Sequence, residues 1–342
     1  MALAELTDDL RNTTLDDNGL LFSPHAHARW SDLKLEPIPR FLFRVYTPRS
    51  DGFTDETTAC SRDATAEKHG SNEDIFATQT PCATAKIIAD HLWWTRDERS
   101  DNLVSWSSSM LFLIRYIFYR HYDSTDESSL HDIHLLVIDT ERFPARTFIR
   151  DSDLISAFKR FDDREKSGLK SIAHLRDNTA HYFGEYLSQG SSRISGKCSK
   201  VSAQSMISRR LLDLHVVFRR ACEGEDPDKW VMPVHAVRNT IRAARNDQLA
   251  SLELLHKAFD IALVFGEDWR LPIAVHLLAL LPYALERREV YGRLWTRLRP
   301  TEHEVDCCAT YWQTIHAPQS MPELVRGQSI MKKLFVIHVQ GG

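Results

Sequence analysis

The hydrophobic period of the chain changes near residue 202, and that change limits the folds open to it more than any single motif. Before it, apolar residues come in short runs fenced by breakers. PIPRFLFRVYTP (Pro37–Pro48) sets Phe, Leu, Val and Tyr between prolines, and HDIHLLVID (His131–Asp139) reads as one buried strand. After it, SAQSMISRRLLDLHVVFRR, AVRNTIRAARNDQLASLELLHKAFDIALVFG and LPIAVHLLALLPYALERREVYGRLWTRL repeat at helical spacing, interrupted at Pro227, Pro233, Pro272 and Pro282. The pattern predicts an α+β domain over 36–201 and an all-α region over 202–300. A polar arm (1–35) precedes them, and a tail (301–342) follows whose end, LFVIHVQGG, is left open between a packed strand and a free end.

Within the first domain, ATAKIIADHLWW (Ala83–Trp94) has helical spacing, and Asn102–Trp106 reads as a short strand. Ser109 then sits where it can cap a helix from Met110 to His121. Ser152–Arg160 is predicted as a short helix. Residues 181–194 are predicted as a strand, a turn at Gln189-Gly190 and a returning strand. The polar, acidic stretch 49–74 is expected to be a long surface loop.

With 342 residues and 43% hydrophobic content the chain can bury a substantial core, and 26% charged residues do not make a disordered composition. A formal net charge of −4 argues against partners held by electrostatics alone, so neither nucleic acid nor a membrane surface is expected. The N-terminus, MALAELTDDLRNTTLDDNG, lacks the basic-then-apolar order of a signal peptide. Its longest apolar stretch, Leu271–Leu285, falls short of the roughly 20 residues that span a bilayer. Six cysteines without paired spacing fit a reducing compartment, and the expectation is a soluble, cytoplasmic protein.

His303, Cys307, Cys308 and His316 form a ligand set on paper, but adjacent cysteines do not match zinc spacing, so no metal is expected. Phosphate-cradling glycine loops, the nucleophile elbow and the zincin helix are all missing from the sequence. Trp93, Trp94, Tyr116, Phe118 and Tyr119 fall at helical spacing and are read as core. Arg287, Arg288, Arg293, Arg297 and Arg299 make a basic run, read first as a solvated helix face and second as a site for an acidic partner.

Three short segments, in order, carry a further signal: LFRVY with Arg44 at its centre, VSWSSS with Ser105-Trp106-Ser107, and GEYLSQG with Glu185. Together they resemble the Arg, Ser-x-Ser and Glu motifs of the ADP-ribosyltransferase fold, a split two-sheet domain. The segments PRFLFRVYTPRSDG, VSWSSS and GEYLSQG are also similar to an uncharacterised fungal protein family. The likeness covers about residues 37–200. It implies NAD as substrate and mono-ADP-ribosyl transfer or NAD glycohydrolysis by a glycosyltransferase-type mechanism. Arg44 would anchor the NAD phosphate or ribose and tie the two sheets. Ser105 would orient the glutamate and the nicotinamide ribose, and Glu185 would stabilise the oxocarbenium-like transition state. Val45, Trp106 and Ser107 would complete the NAD contacts. Trp106 stands where the family has threonine, Val45 where many members have glycine, and Phe183 where arginine-modifying members carry a second Glu or Gln. The resemblance therefore leaves two readings: an enzyme acting on an unassigned acceptor or on water, or an inactive scaffold serving as an interaction module. In the first, the helical region would select a protein partner or cover the cleft; in the second, it would carry the binding surface.

Overall fold

A computed structural model describes residues 19–341 apart from 96–99, 124, 178–181, 226–230, 245–248, 284, 286–287 and 317. Its N-terminal part is built on nine strands: β1 (Phe41–Tyr46), β2 (Phe53–Thr54), β3 (Thr58–Cys60), β4 (Leu103–Ser107), β5 (His134–Asp139), β6 (Ile149–Arg150), β7 (Glu185–Gln189), β8 (Ser191–Arg193) and β9 (Cys198–Ser202). They form two sheets, a six-stranded one ordered β6-β7-β4-β1-β5-β9 and a three-stranded one ordered β2-β3-β8. The strands pair antiparallel throughout.

Side-chain alternation along β1 explains where each layer sits. Phe41, Phe43 and Val45 enter the core shared with the helical region, while Leu42 and Tyr46 enter the core that also holds Ala59 of β3 and Ile194 beyond β8. Arg44 lies between Leu42 and Tyr46 on that second face. β1 and β5 pair along their full length, but β1 and β4 pair at a single position, Phe43 opposite Ser107.

Among the described residues, four helices of two turns or more accompany the sheets: α1 (Pro81–Leu92), α2 (Met110–Tyr122), α3 (Asp151–Phe158) and α4 (Leu169–Asp177). The Ser109 hydroxyl accepts from Phe112 N–H and caps α2 as the sequence predicts, an interaction worth about 1 kcal/mol. The all-α region holds α5 (Ala203–Ser208), α6 (Val216–Cys222), α7 (Val231–Ala243), α8 (Leu252–Ala262), α9 (Arg270–Ala279), α10 (Arg288–Leu298), α11 (Glu302–Thr314) and α12 (Pro322–Gly341). The chain is thus an α+β two-sheet domain followed by a helical C-terminal region.

Four local expectations change. The 49–74 segment is not a bare loop: it carries β2, β3 and a one-turn helix at Arg62–Thr65. The return after Gly190 does not pair with β7; β8 pairs with β3, so the turn carries the chain from one sheet to the other. In the 1–35 arm, Phe22 and Trp30 are buried in the α1–α3–α4 core. The end of the tail does not stay open between strand and free end: its residues as far as Gly341 continue α12, whose Leu324, Ile330 and Leu334 are buried.

Arg293, Arg297 and Arg299 are exposed, with Arg297 paired to Asp260 of α8, and Arg287 lies outside the described residues. Among the described residues no helix is long and apolar enough to cross a membrane.

Candidate active site

The four serines from the end of β4 to the cap of α2 each hold something specific. The Ser105 hydroxyl donates to Glu185 Oε1 at 2.8 Å, across the β4–β7 ladder. Ser107 Oγ donates to the Phe183 carbonyl at 2.8 Å, and Ser108 N–H donates to the Gly184 carbonyl at 2.8 Å. Ser109, besides capping α2, donates to Glu323 Oε1 of α12 at 3.1 Å. The cluster is the seam that fixes the end of β4 against the start of β7. Ser105 and Ser107 border the cavity, and of the two only Ser105 bonds the Glu185 carboxylate.

Arg44 joins the two sheets. Its Nη1 donates to the Ser105 carbonyl at 2.8 Å, and its Nε donates to Thr54 Oγ1 of β2 at 3.3 Å. The guanidinium thus serves β4 where the β1–β4 pairing is confined to one position. Among the described residues it has no carboxylate partner, and its Nη2 makes no hydrogen bond. Burial, with Arg120 nearby, lowers its pKa to about 10, which leaves it charged at neutral pH.

Three residues that the sequence reading passed over complete the arrangement. His91 of α1 places Nε2 2.8 Å from Ser105 Oγ and Nδ1 2.8 Å from Asp101 Oδ2. Arg176 of α4 places Nη2 2.6 Å from Glu185 Oε2 and Nε 2.6 Å from the buried Asp151. Burial opposes the charged imidazole of His91, but the Asp101 carboxylate outweighs it, with help from Glu185, and the His91 pKa is raised. Burial pushes Glu185 above the usual carboxylate range, against the pull of Arg176 and His91. Two carboxylates raise the Arg176 pKa despite its burial.

Asp101, His91 and Ser105 have the connectivity of a hydrolase triad, but the proton placement differs. Ser105 gives its proton to Glu185, so the lone pair it offers His91 receives an Nε2–H, while Nδ1–H goes to Asp101. An imidazole protonated at both nitrogens cannot take a proton from Ser105. The relay orients Ser105 rather than activating it as a nucleophile.

These groups border a cavity of about 430 Å³, within the range of small-molecule sites. Trp93, Trp94, Tyr116 and Tyr119 border it too, which changes their expected role as core; Phe118 alone of that group is fully buried. Trp93 and Trp94 are 37% and 38% exposed. The Trp94 ring lies 5.4 Å from Tyr116, and Trp94 holds a left-handed φ of 54°, costly for a bulky residue. The cavity lining therefore combines charged and polar groups with exposed aromatic rings.

Of the residues the sequence singled out, Arg44, Ser105 and Glu185 meet in one hydrogen-bonded relay. The other expected NAD contacts have side chains engaged elsewhere. Trp106 borders the cavity, but its ring packs edge-on to Phe148 and its Nε1 donates to Ser188 Oγ at 3.0 Å. Val45 is buried in the core shared with the helices, and Ser107 is spent on Phe183. Phe183 stacks on Phe112 at 5.0 Å and brings no second carboxylate. Among the described residues no three His, Cys, Asp or Glu side chains form a group that could hold a metal ion. His91 is a lone histidine on a predicted helix, and Asp101 and Arg176 lie on other elements, so no spacing in the sequence links them.

A family described as a domain of unknown function (DUF7587) matches residues 37–191. The match runs from just before β1 to the first residue of β8 and contains the whole Arg44–Ser105–Glu185 relay, with His91, Asp101 and Arg176. No curated protein and no solved structure matches the chain.

Proposed function

We propose that the cavity binds NAD and cleaves its nicotinamide–ribose bond, passing the ADP-ribosyl group to water or to an acceptor other than arginine. The observation that carries this reading is the Arg44–Ser105–Glu185 relay: three residues from three separated motifs, joined by hydrogen bonds at the floor of one cavity. Arg44, charged at neutral pH, offers a phosphate or ribose hydroxyl an Nη2 that makes no hydrogen bond among the described residues. The aromatic rings that border the cavity suit planar rings. Ser105, fixed by His91, holds the Glu185 carboxylate in one orientation. Glu185 stabilises the positive charge that develops on the ribose carbon as nicotinamide departs with the bonding electrons. The incoming nucleophile then forms its bond to that carbon and releases its proton. The lack of a second carboxylate at Phe183 is what turns the reading away from arginine acceptors.

One observation favours the inactive alternative, in which the domain binds a ligand without turnover. Arg176 already engages Glu185 Oε2, and a carboxylate shared with a guanidinium has less charge to offer a developing cation. Nicotinamide release from purified protein and NAD separates the two. Release that falls about 100-fold or more in Glu185→Gln, with NAD binding retained, supports the enzyme. Calorimetric NAD binding with no release from the wild type supports the module, and no binding at all rejects the enzyme.

A further inference from the structure

Between the six-stranded sheet and the helical region, Arg238 of α7 and Glu323 of α12 form an ion pair with 1% and 2% exposure. Arg238 Nη2 lies 2.9 Å from Glu323 Oε1, and Nε lies 3.2 Å from both carboxylate oxygens. Withdrawing two charges from water costs about as much as their attraction returns, so stability alone explains such a pair poorly. What the pair grips explains it better. Glu323 accepts the Ser109 hydroxyl at the end of the strand that carries Ser105. Arg238 Nη1 donates to the Tyr182 carbonyl at 3.2 Å, and its guanidinium lies over the Phe183 ring at 5.3 Å, on the approach to the strand that carries Glu185.

We infer that the Arg238–Glu323 pair is a positioning device for the cavity, through which the helical region sets the geometry of Ser105 against Glu185. The inference rests on the role proposed above for Glu185. Each half of the pair holds one side of the seam, and the two halves hold each other by a planar fork that permits little sliding. The helical region is then a structural part of the site. The contacts of Ser107 with Phe183 and of Ser108 with Gly184 close the seam directly, and the ion pair braces it from behind.

The test is the double variant Arg238→Met with Glu323→Leu, which replaces the pair by apolar residues of similar length and leaves no charge unpaired. It is expected to unfold at the wild-type temperature or above. Its kcat for nicotinamide release should fall about 100-fold while KM for NAD changes less than about threefold, because the loss lies in alignment and not in binding. Without NAD, amide exchange in residues 105–109 and 183–189 should quicken about tenfold. A folded double variant with wild-type kcat and wild-type protection overturns the inference. If the wild type itself releases no nicotinamide, the role of Glu185 fails, and amide exchange alone decides the brace. Should the double variant not fold, Arg238→Lys keeps the charge opposite Glu323 but cannot also reach Tyr182, and the same measurements apply to it.

Discussion

At the scale of single residues, the site sets two opposed titrations. Glu185 acts as a carboxylate, and burial raises its pKa, so activity should rise with pH through a limb above the ordinary carboxylate value of about 4.3. His91 holds Ser105 as an imidazolium, and its raised pKa means that this support is complete below about 6.5 and is lost as pH climbs through the folded value. Nicotinamide release should therefore trace a bell, with both limbs displaced upward. His91→Asn, which can still donate to Ser105 but does not titrate, should flatten the alkaline limb and leave the acid limb in place. An alkaline limb unchanged in that variant would assign it to another group. For stability, the raised His91 pKa makes its contact with Asp101 contribute fully below about 6.5 and lose that contribution as pH rises through the folded value.

At the scale of elements, the start of β7 is the tightest point of the site. Gly184 has a left-handed φ of 64°, and a β-carbon there would stand 2.1 Å from Ser108 Oγ. Gly184→Ala should cost about 1–2 kcal/mol for the backbone conformation alone. The clash would also push Ser108 away and loosen the seam. The expected outcome is a lower unfolding midpoint together with reduced nicotinamide release, measured on one preparation. A variant of wild-type stability would show that the seam yields there. β1, which carries Arg44, was legible from its proline-bounded apolar residues, and two elements around the site declare themselves as locally: α2 by its serine cap and β5 by an unbroken apolar run. β2 and β3 were not legible, since strands of two and three residues show no alternation, and their stability comes from pairing with each other and with β8. The helix that runs into LFVIHVQGG packs against α9 and α11 and buries Leu334, which the local β-branched residues do not reveal. His91, Asp101 and Arg176 converge from α1, the approach to β4, and α4, and only the folded chain brings them together.

At the scale of the whole molecule, one hydrophobic core runs from Phe41, Phe43 and Val45 of the sheet through α2 into the helical region, so the two parts should unfold together. His276 sits inside that core, edge-on to Phe43 at 4.9 Å, with Nε2 2.8 Å from the Tyr311 hydroxyl. Burial lowers its pKa to about 3, and burial lowers that of His215, which caps α6, to about 4. Both are neutral in the fold, whereas the unfolded chain protonates them near pH 6.5. Stability is therefore full above that value and declines as pH falls toward the folded pKa values, at up to about 1.4 kcal/mol per pH unit for each histidine. Urea unfolding should show a loss of roughly 3–4 kcal/mol between about pH 7 and pH 5 from these two groups. His276→Gln retains a partner for Tyr311 and removes one titration, so it should lose about half as much over the same interval. A wild-type pH dependence in that variant would place the acid sensitivity outside the shared core. A single coincident transition in the near- and far-ultraviolet signals would show that sheet and helices unfold as one unit, as a site braced from the helical side requires.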